Sequence, residues 1–194
     1  NEKNFKQFNF LIKNKNFINN LIKKVESILF YLSRGKSNSI ILNYDENSEK
    51  LFLWYQQLVA ESLGKKGKGI LPTISSMPKD NHSLMQYYLD GPKNNFFTFF
   101  YTFDKKSEKI QNQNLLKSHN YLRNKYVNKI LFTQKIATEN VFKSKKIPFR
   151  SFEIYKRDEK TIGQLFCFFI LETILLGRAL KVNPYDQPSV ELIK

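Results

Sequence analysis

The sequence predicts an α/β fold, a three-layer doubly wound parallel sheet flanked by helices. Three observations carry this. Helix-spaced segments alternate with strand-like segments along the whole chain. The strand-like segments are continuous apolar runs, as in "SIILNY" and "NFFTFFYTF", which marks strands covered on both faces. The 194 residues, 41% hydrophobic and 15% aromatic, suit one domain with a real core.

Each element has a local reason. From Asn16 to Leu32, apolar residues at Phe17, Leu21, Ile22, Val25, Ile28, Leu29 and Leu32 recur at helical spacing, and Gly35 follows as a stop. Ser39–Tyr44 reads as a buried strand. Helical spacing returns from Ser48 to Leu63 and ends at Gly64. "GILPTIS" is a second strand, and "NHSLMQYYLDG" a short helix with Asn81 or Asp80 as its N-cap. "NFFTFFYTF" is a third strand, Asn120–Lys143 a long helix, "PFRSFEIY" a fourth strand, and Glu159–Leu180 the last long helix. "NPYDQP" is dense turn punctuation, and Pro188–Leu192 reads as the first turn of a further helix.

Composition narrows the function classes. The formal charge is +15, from 32 Lys+Arg against 17 Asp+Glu. The lysines are spread along the chain and no basic–aromatic reader motif accompanies them, so nucleic acid is not the expected partner. A single cysteine, Cys167, leaves no disulfide framework or Cys-based zinc site and is expected as a buried thiol. The apolar run from Ile162 to Leu180 has the length of a membrane span. Glu172 in its middle and Arg178 near its end make it a core helix, and no membrane association is expected. The chain opens on Asn1 without a secretory signal and stops at Lys194 inside a helical turn. A cytoplasmic segment of a longer protein is expected.

In an open parallel sheet, ligands bind beyond the carboxyl ends of the strands. That directs attention to Asp45–Ser48, Ser75–Asp80, Thr102–Ser107 and the turn at Arg157. "GKKGKG" (Gly64–Gly69) looks like a phosphate cradle but follows a helix and lacks the closing Gly-Lys-Ser/Thr, so it reads as a lysine-rich loop. His119 lies in polar "KSHN" and reads as solvated, whereas His82 opens a helix after a strand and can serve as an acid–base group. Glu61 sits late in its helix, opposing the macrodipole beside small apolar Val59 and Ala60, a setting that suits a general base. The competing reading is a surface glutamate paired with Lys65 at i,i+4.

Three ordered stretches, "QQLVAESLGKKGKGILP", "DNHSLMQYYLDGP" and "GRALKVNPYDQPSVELIK", together resemble the phosphoglucose isomerase (glucose-6-phosphate isomerase) family in its bacterial form. "GRALKVNPYDQPSVELIK" is similar to the family's C-terminal signature at Gly177, Ala179, Leu180, Tyr185, Asp186, Gln187, Val190, Glu191 and Lys194, with Ser189 where a Gly or Ala is usual. "QQLVAESLGKKGKGILP" resembles the surroundings of the catalytic glutamate, and "DNHSLMQYYLDGP" the histidine region. With "RDEKTIGQLF" and "ETILLGRAL", the resemblance covers most of Leu51–Lys194.

The resemblance implies a sugar-isomerase, flavodoxin-like fold. Residues 1–36 would be a leading helical segment and 37–194 the second sugar-isomerase domain, cut within its C-terminal helix and lacking the first domain. It implies interconversion of glucose 6-phosphate and fructose 6-phosphate through a cis-enediol(ate), without cofactor or metal. Glu61 would be the base, His82 the ring-opening group supplied across a homodimer, and Lys194 the cation for the developing oxyanion. Gln57 and Gln187 would hold the sugar phosphate. The family's Ser/Thr phosphate cluster lies in the first domain and its Gly-Gly-Arg arginine in a segment between the domains, so little activity is expected of this piece alone. A non-catalytic phosphosugar-binding regulatory domain is the alternative.

Overall fold

The computed structural model describes residues 9–103, 107–111 and 116–192. Four parallel strands form one sheet: β1 (Asn38–Asn43), β2 (Leu71–Ser76), β3 (Asn95–Thr102) and β4 (Phe149–Ile154), in spatial order β2-β1-β3-β4. Ile74, Ile41, Thr98 and Arg150 are successive partners across the sheet and define its register. The reversal of direction between β1 and β3 is the switch point of a doubly wound sheet.

Helices cover both faces, in agreement with the continuous apolar runs. α1 (Lys15–Ser33), α2 (Glu49–Leu63) and α5 (Glu159–Leu180) lie on one face; α3 (Met85–Asp90) and α4 (Val127–Ser144) lie on the other. A short α6 (Pro188–Glu191) follows. β3 is buried at all eight positions, because its even residues face one layer and its odd residues the other. Phe96 and Phe100 join Val25, Ile28, Phe52, Val59 and Phe169 in the first core. Phe97, Phe99 and Tyr101 join Leu42, Tyr88 and Phe142 in the second. α1 therefore shares its core with the sheet. Edge-to-face rings fill these layers, with Phe52–Phe100 centroids at 4.7 Å and Phe97–Phe142 at 4.8 Å.

Caps explain most element ends. Asn14 accepts from the amides of Asn16 and Phe17 at the start of α1, and Gly35, at φ 75°, closes it. Asp158 accepts from Thr161 N at 2.9 Å to start α5. Two expectations shift. Neither Asp80 nor Asn81 caps α3: a 3-10 turn (Lys79–Asn81) intervenes, and the Asp80 carboxylate is taken by Ser76 N at 2.8 Å. The long helix expected from Asn120 begins only at Val127, because a 3-10 segment (Lys117–Leu122) leads to Asn124 at φ 58°, which breaks a right-handed path.

α5 is long and apolar enough to cross a membrane, but Leu165, Cys167, Phe169, Glu172 and Leu176 on it are buried in the fold. Glu172 is 1% exposed and accepts a two-pronged bond from Arg150 of β4, with one leg at 3.1 Å. Arg150 also donates to Thr98 Oγ1 at 3.0 Å and reaches Tyr55 Oη at 3.5 Å. Burial alone would lower the arginine pKa, but Glu172 and Tyr55 outweigh it and keep the guanidinium charged. Breaking such a pair strands a charge. Arg150→Met should lower unfolding free energy by about 3–5 kcal/mol, while Arg150→Met with Glu172→Leu should recover most of the loss, read from urea midpoints.

Burial, followed by the Glu172 charge, pushes the Tyr55 hydroxyl from 10.0 up to about 12. The folded state thus holds its proton where the unfolded chain releases it. The contribution is complete below pH 10 and is lost as pH rises toward 12. Alkaline denaturation should steepen over this window, and Tyr55→Phe should flatten it.

Candidate functional site

α2 runs from the carboxyl edge of the sheet back to its amino edge, since it links the end of β1 to the start of β2. Leu51, Phe52, Tyr55, Val59, Ser62 and Leu63 form its buried face. Gln57 and Glu61 lie off that face, one turn apart, with Gln57 exposed and Glu61 half-buried. Gln57 Nε2 donates to Glu61 Oε2 at 3.3 Å, and Gln56 Nε2 donates to Pro72 O at 2.8 Å, tying this end of α2 to the start of β2. An oriented carboxylate with an amide beside it can accept a proton from a bound substrate.

The Gly64–Gly69 loop is built for a sharp turn. Gly67 and Gly69 have φ of 69° and 132°, and a Cβ on Gly69 would stand 2.8 Å from Gly64 Cα. Its lysines bind protein. Lys65 Nζ donates to Asn183 O at 2.5 Å and pairs with Asp186 at 2.9 Å; Lys68 Nζ donates to Leu180 O at 2.8 Å. These bonds satisfy carbonyls at and just beyond the C-terminal end of α5. The pairing of Glu61 with Lys65 is therefore not formed. Lys65 serves the turn, which sequence spacing had no means of indicating.

The turn itself is closely seated. Lys181 adopts φ 57°, and Val182 N bonds Gly177 O to complete the helix stop. Pro184 lies so near Gly177 that a Cβ there would meet its ring at 3.1 Å. Asn183 Oδ1 accepts from Tyr185 N, and Asn183 Nδ2 donates to Asp186. Gln187 follows, exposed, with Pro188 at the first turn of α6. Gln57, Glu61 and the turn carrying Gln187 are thus grouped at the amino edge through Lys65. Lys194 lies outside the described residues.

His82 is placed elsewhere. It is exposed and follows the 3-10 turn after β2, at the carboxyl edge. The six residues of β2, roughly 20 Å of strand, separate that edge from the one holding Glu61. One chain does not bring Glu61 and His82 together. The carboxyl-edge loops singled out in the sequence close on themselves: Asp45 accepts from Ser48, from Thr102 Oγ1 at 3.0 Å and from Arg157. Residues 104–106 of the third loop are outside the described residues. His119 is exposed.

Lys65, with its side chain 9% exposed, holds the Asp186 carboxyl below the usual carboxylate range. Lys65→Met should release the turn. The expected readout is faster hydrogen exchange at Tyr185 and Val190 amides with the exchange of β3 unchanged.

No protein-family model matches the chain. It is 37% identical over 197 aligned residues to a glucose-6-phosphate isomerase of Mycoplasmopsis pulmonis, covering 97% of this chain and 45% of that protein. It is 34% identical over 185 residues to a probable glucose-6-phosphate isomerase of Methanococcus maripaludis, covering 93% and 40%. Among solved structures, a hypothetical protein from Thermus thermophilus superposes with a TM-score of 0.85 at 23% identity, covering 98% of this chain and 47% of that one. A glucose-6-phosphate isomerase from Chlamydia trachomatis gives 0.63 at 14%, covering 81% and 33%; at these identities the two structures speak for the fold. The chain spans less than half the length of each of these proteins.

Proposed function

We propose that the chain belongs to the glucose-6-phosphate isomerase family, spanning less than half the length of its matched relatives, and that it forms the base-bearing part of such an isomerase. Residues 37–194 act as the second sugar-isomerase domain, with 1–36 as a leading helical segment. The reaction converts glucose 6-phosphate to fructose 6-phosphate and back. Glu61 removes the proton from C2 while the C1 carbonyl takes up the electron pair as an enediolate. A proton passes from the C2 hydroxyl to O1, and Glu61 returns its proton to C1 as the carbonyl re-forms at C2. Gln57 and Gln187 bind the sugar phosphate, and Lys194 stabilises the oxyanion. His82 assists ring opening. The protein works in the cytoplasm, and the phosphate grip comes from residues outside this sequence, so the 194 residues alone turn over little substrate.

The observation that carries the reading is the separation of Glu61 and His82 at opposite ends of the sheet. Two groups needed on one sugar, but displayed at opposite ends of one chain, meet when two copies each lend one. This supports a homodimer with shared sites. A regulatory phosphosugar-binding domain has no such requirement.

In the complete isomerase, Glu61→Gln should slow exchange of the C2 proton with solvent by about 10²–10⁴-fold. Exchange at the parental rate removes Glu61 as the base. A Glu61→Gln homodimer and a His82→Gln homodimer should each be nearly inactive. Subunit exchange between them should restore about a quarter of parental turnover, because each mixed dimer regains one intact site. No recovery on proven mixing would place both groups in the same subunit's site.

A further inference from the structure

The amino edge of the sheet carries a second, separate feature on the opposite face from α2 and α5. The loops entering β1, β3 and β4 converge around a cleft of about 240 Å³ lined by Lys36, Lys93, Lys145, Lys146, Asn95 and Tyr88, with two prolines and apolar side chains completing it. Four of the ten lining residues are lysines and none is acidic. Each lysine comes from a loop or helix end, so the sheet topology alone collects them. Lys145 pairs with Asp90 at 3.3 Å, the single carboxylate bonded to the group among the described residues. Lys36 Nζ donates to Lys93 O, and Lys93 Nζ to Leu89 O, both at 2.6 Å, leaving each ammonium further N–H groups. The Lys146 ammonium has no ion pair or hydrogen bond among the described residues.

Asn95 adds an independent sign of a ligand. It is the first residue of β3 and only 4% exposed. Its Oδ1 accepts from Asn38 Nδ2 at 3.1 Å, but its Nδ2 is buried without an acceptor. A buried donor left without a partner costs about 1–3 kcal/mol. Asn95 lines the same cleft as the four lysines, and an anionic oxygen bound there would supply the acceptor. Burial, then the charge of Lys93, also lowers the pKa of Lys36, a strain that an anion would relieve.

We propose that this cleft binds a small phosphate-bearing polyanion, with the lysines neutralising its charge and Asn95 Nδ2 donating to one oxygen. The volume lies below the roughly 300–1,000 Å³ of drug-sized pockets, which suits an anion of pyrophosphate dimensions. The concave shape favours it over an extended nucleic acid. The site is distinct from Glu61 and does not rest on the isomerase reading, because binding is measured without turnover.

The test uses the 194-residue chain with inorganic pyrophosphate as probe. Pyrophosphate should raise the melting temperature in a saturable way, and sodium chloride of equal ionic strength should not. In ¹⁵N spectra the Asn95 side-chain amide should shift with the same saturation. Lys93→Gln with Lys146→Gln, both at exposed positions, should weaken binding at least tenfold, on the order expected for two lost charge-assisted contacts. Equal stabilisation by chloride, an unmoved Asn95 amide, or parental affinity in the double variant would each overturn the proposal. So would selective binding of heparin with no response to pyrophosphate. Should the double variant not fold, the Asn95 amide of the parental chain decides alone.

Discussion

The Arg150–Glu172 pair is the interaction on which the placement of the site depends. β4 is an edge strand with five of its six residues incompletely buried, so apolar packing alone holds it weakly. Its tie to the rest is polar. Arg150 uses its planar fork on Glu172 of α5 and on Thr98 of β3, binding strand, neighbour strand and covering helix together. On the other face of β4, Lys135, fully buried, pairs with Glu139 at 2.9 Å and Glu153 at 2.5 Å, while Ser151 donates to Glu139. Charges this deep are costly unless every member is partnered. Here they are: Lys135 ties α4 to β4, and Arg150 fixes the position of α5 against β4.

That position is transmitted to the amino edge. α5 ends where Lys68 reaches Leu180 O, and the following turn is held by Lys65 against Asn183 and Asp186. Because α2 supplies Glu61 four residues before Lys65, the two segments that resemble isomerase motifs are joined by direct bonds, though they lie over a hundred residues apart in sequence. The lysine-rich loop that superficially suggests a phosphate cradle is the clamp between them. Its glycines permit the tight return and its cations neutralise helix-end carbonyls.

The two ends of the sheet therefore carry different groups. At the carboxyl edge, where an open parallel sheet usually takes its ligand, Asp45, Ser48, Thr102 and Arg157 satisfy one another, and His82 stands exposed beyond β2. At the amino edge lie Glu61, Gln57 and the turn with Gln187. The loops that a general rule of ligand placement singles out thus lead to His82 and leave out Glu61, which its helix-end setting and the isomerase-like motif bring to notice.

Element type and order were legible in the sequence because helical spacing and continuous apolar runs are written in consecutive residues. The last long helix, Glu159–Leu180, and the all-buried β3 follow from such local patterns. The identities of Glu61, His82, Gln57 and Gln187 as candidates were legible too, through motifs that keep their residues within short stretches. What the sequence by itself determined, then, is whatever depends on neighbours in the chain. The partner of Lys65 was decided elsewhere. At i,i+4 spacing Glu61 was available, but α2 ends at Leu63, and Lys65 turns to Asp186, 121 positions away. The helix start at Val127, the self-satisfied Asp45 cluster and the gathering of four lysines around Asn95 have the same origin. Each depends on which strand ends and helix ends are brought side by side. That juxtaposition is set by burial of the whole sheet between two helical layers, and only the tertiary structure decided it.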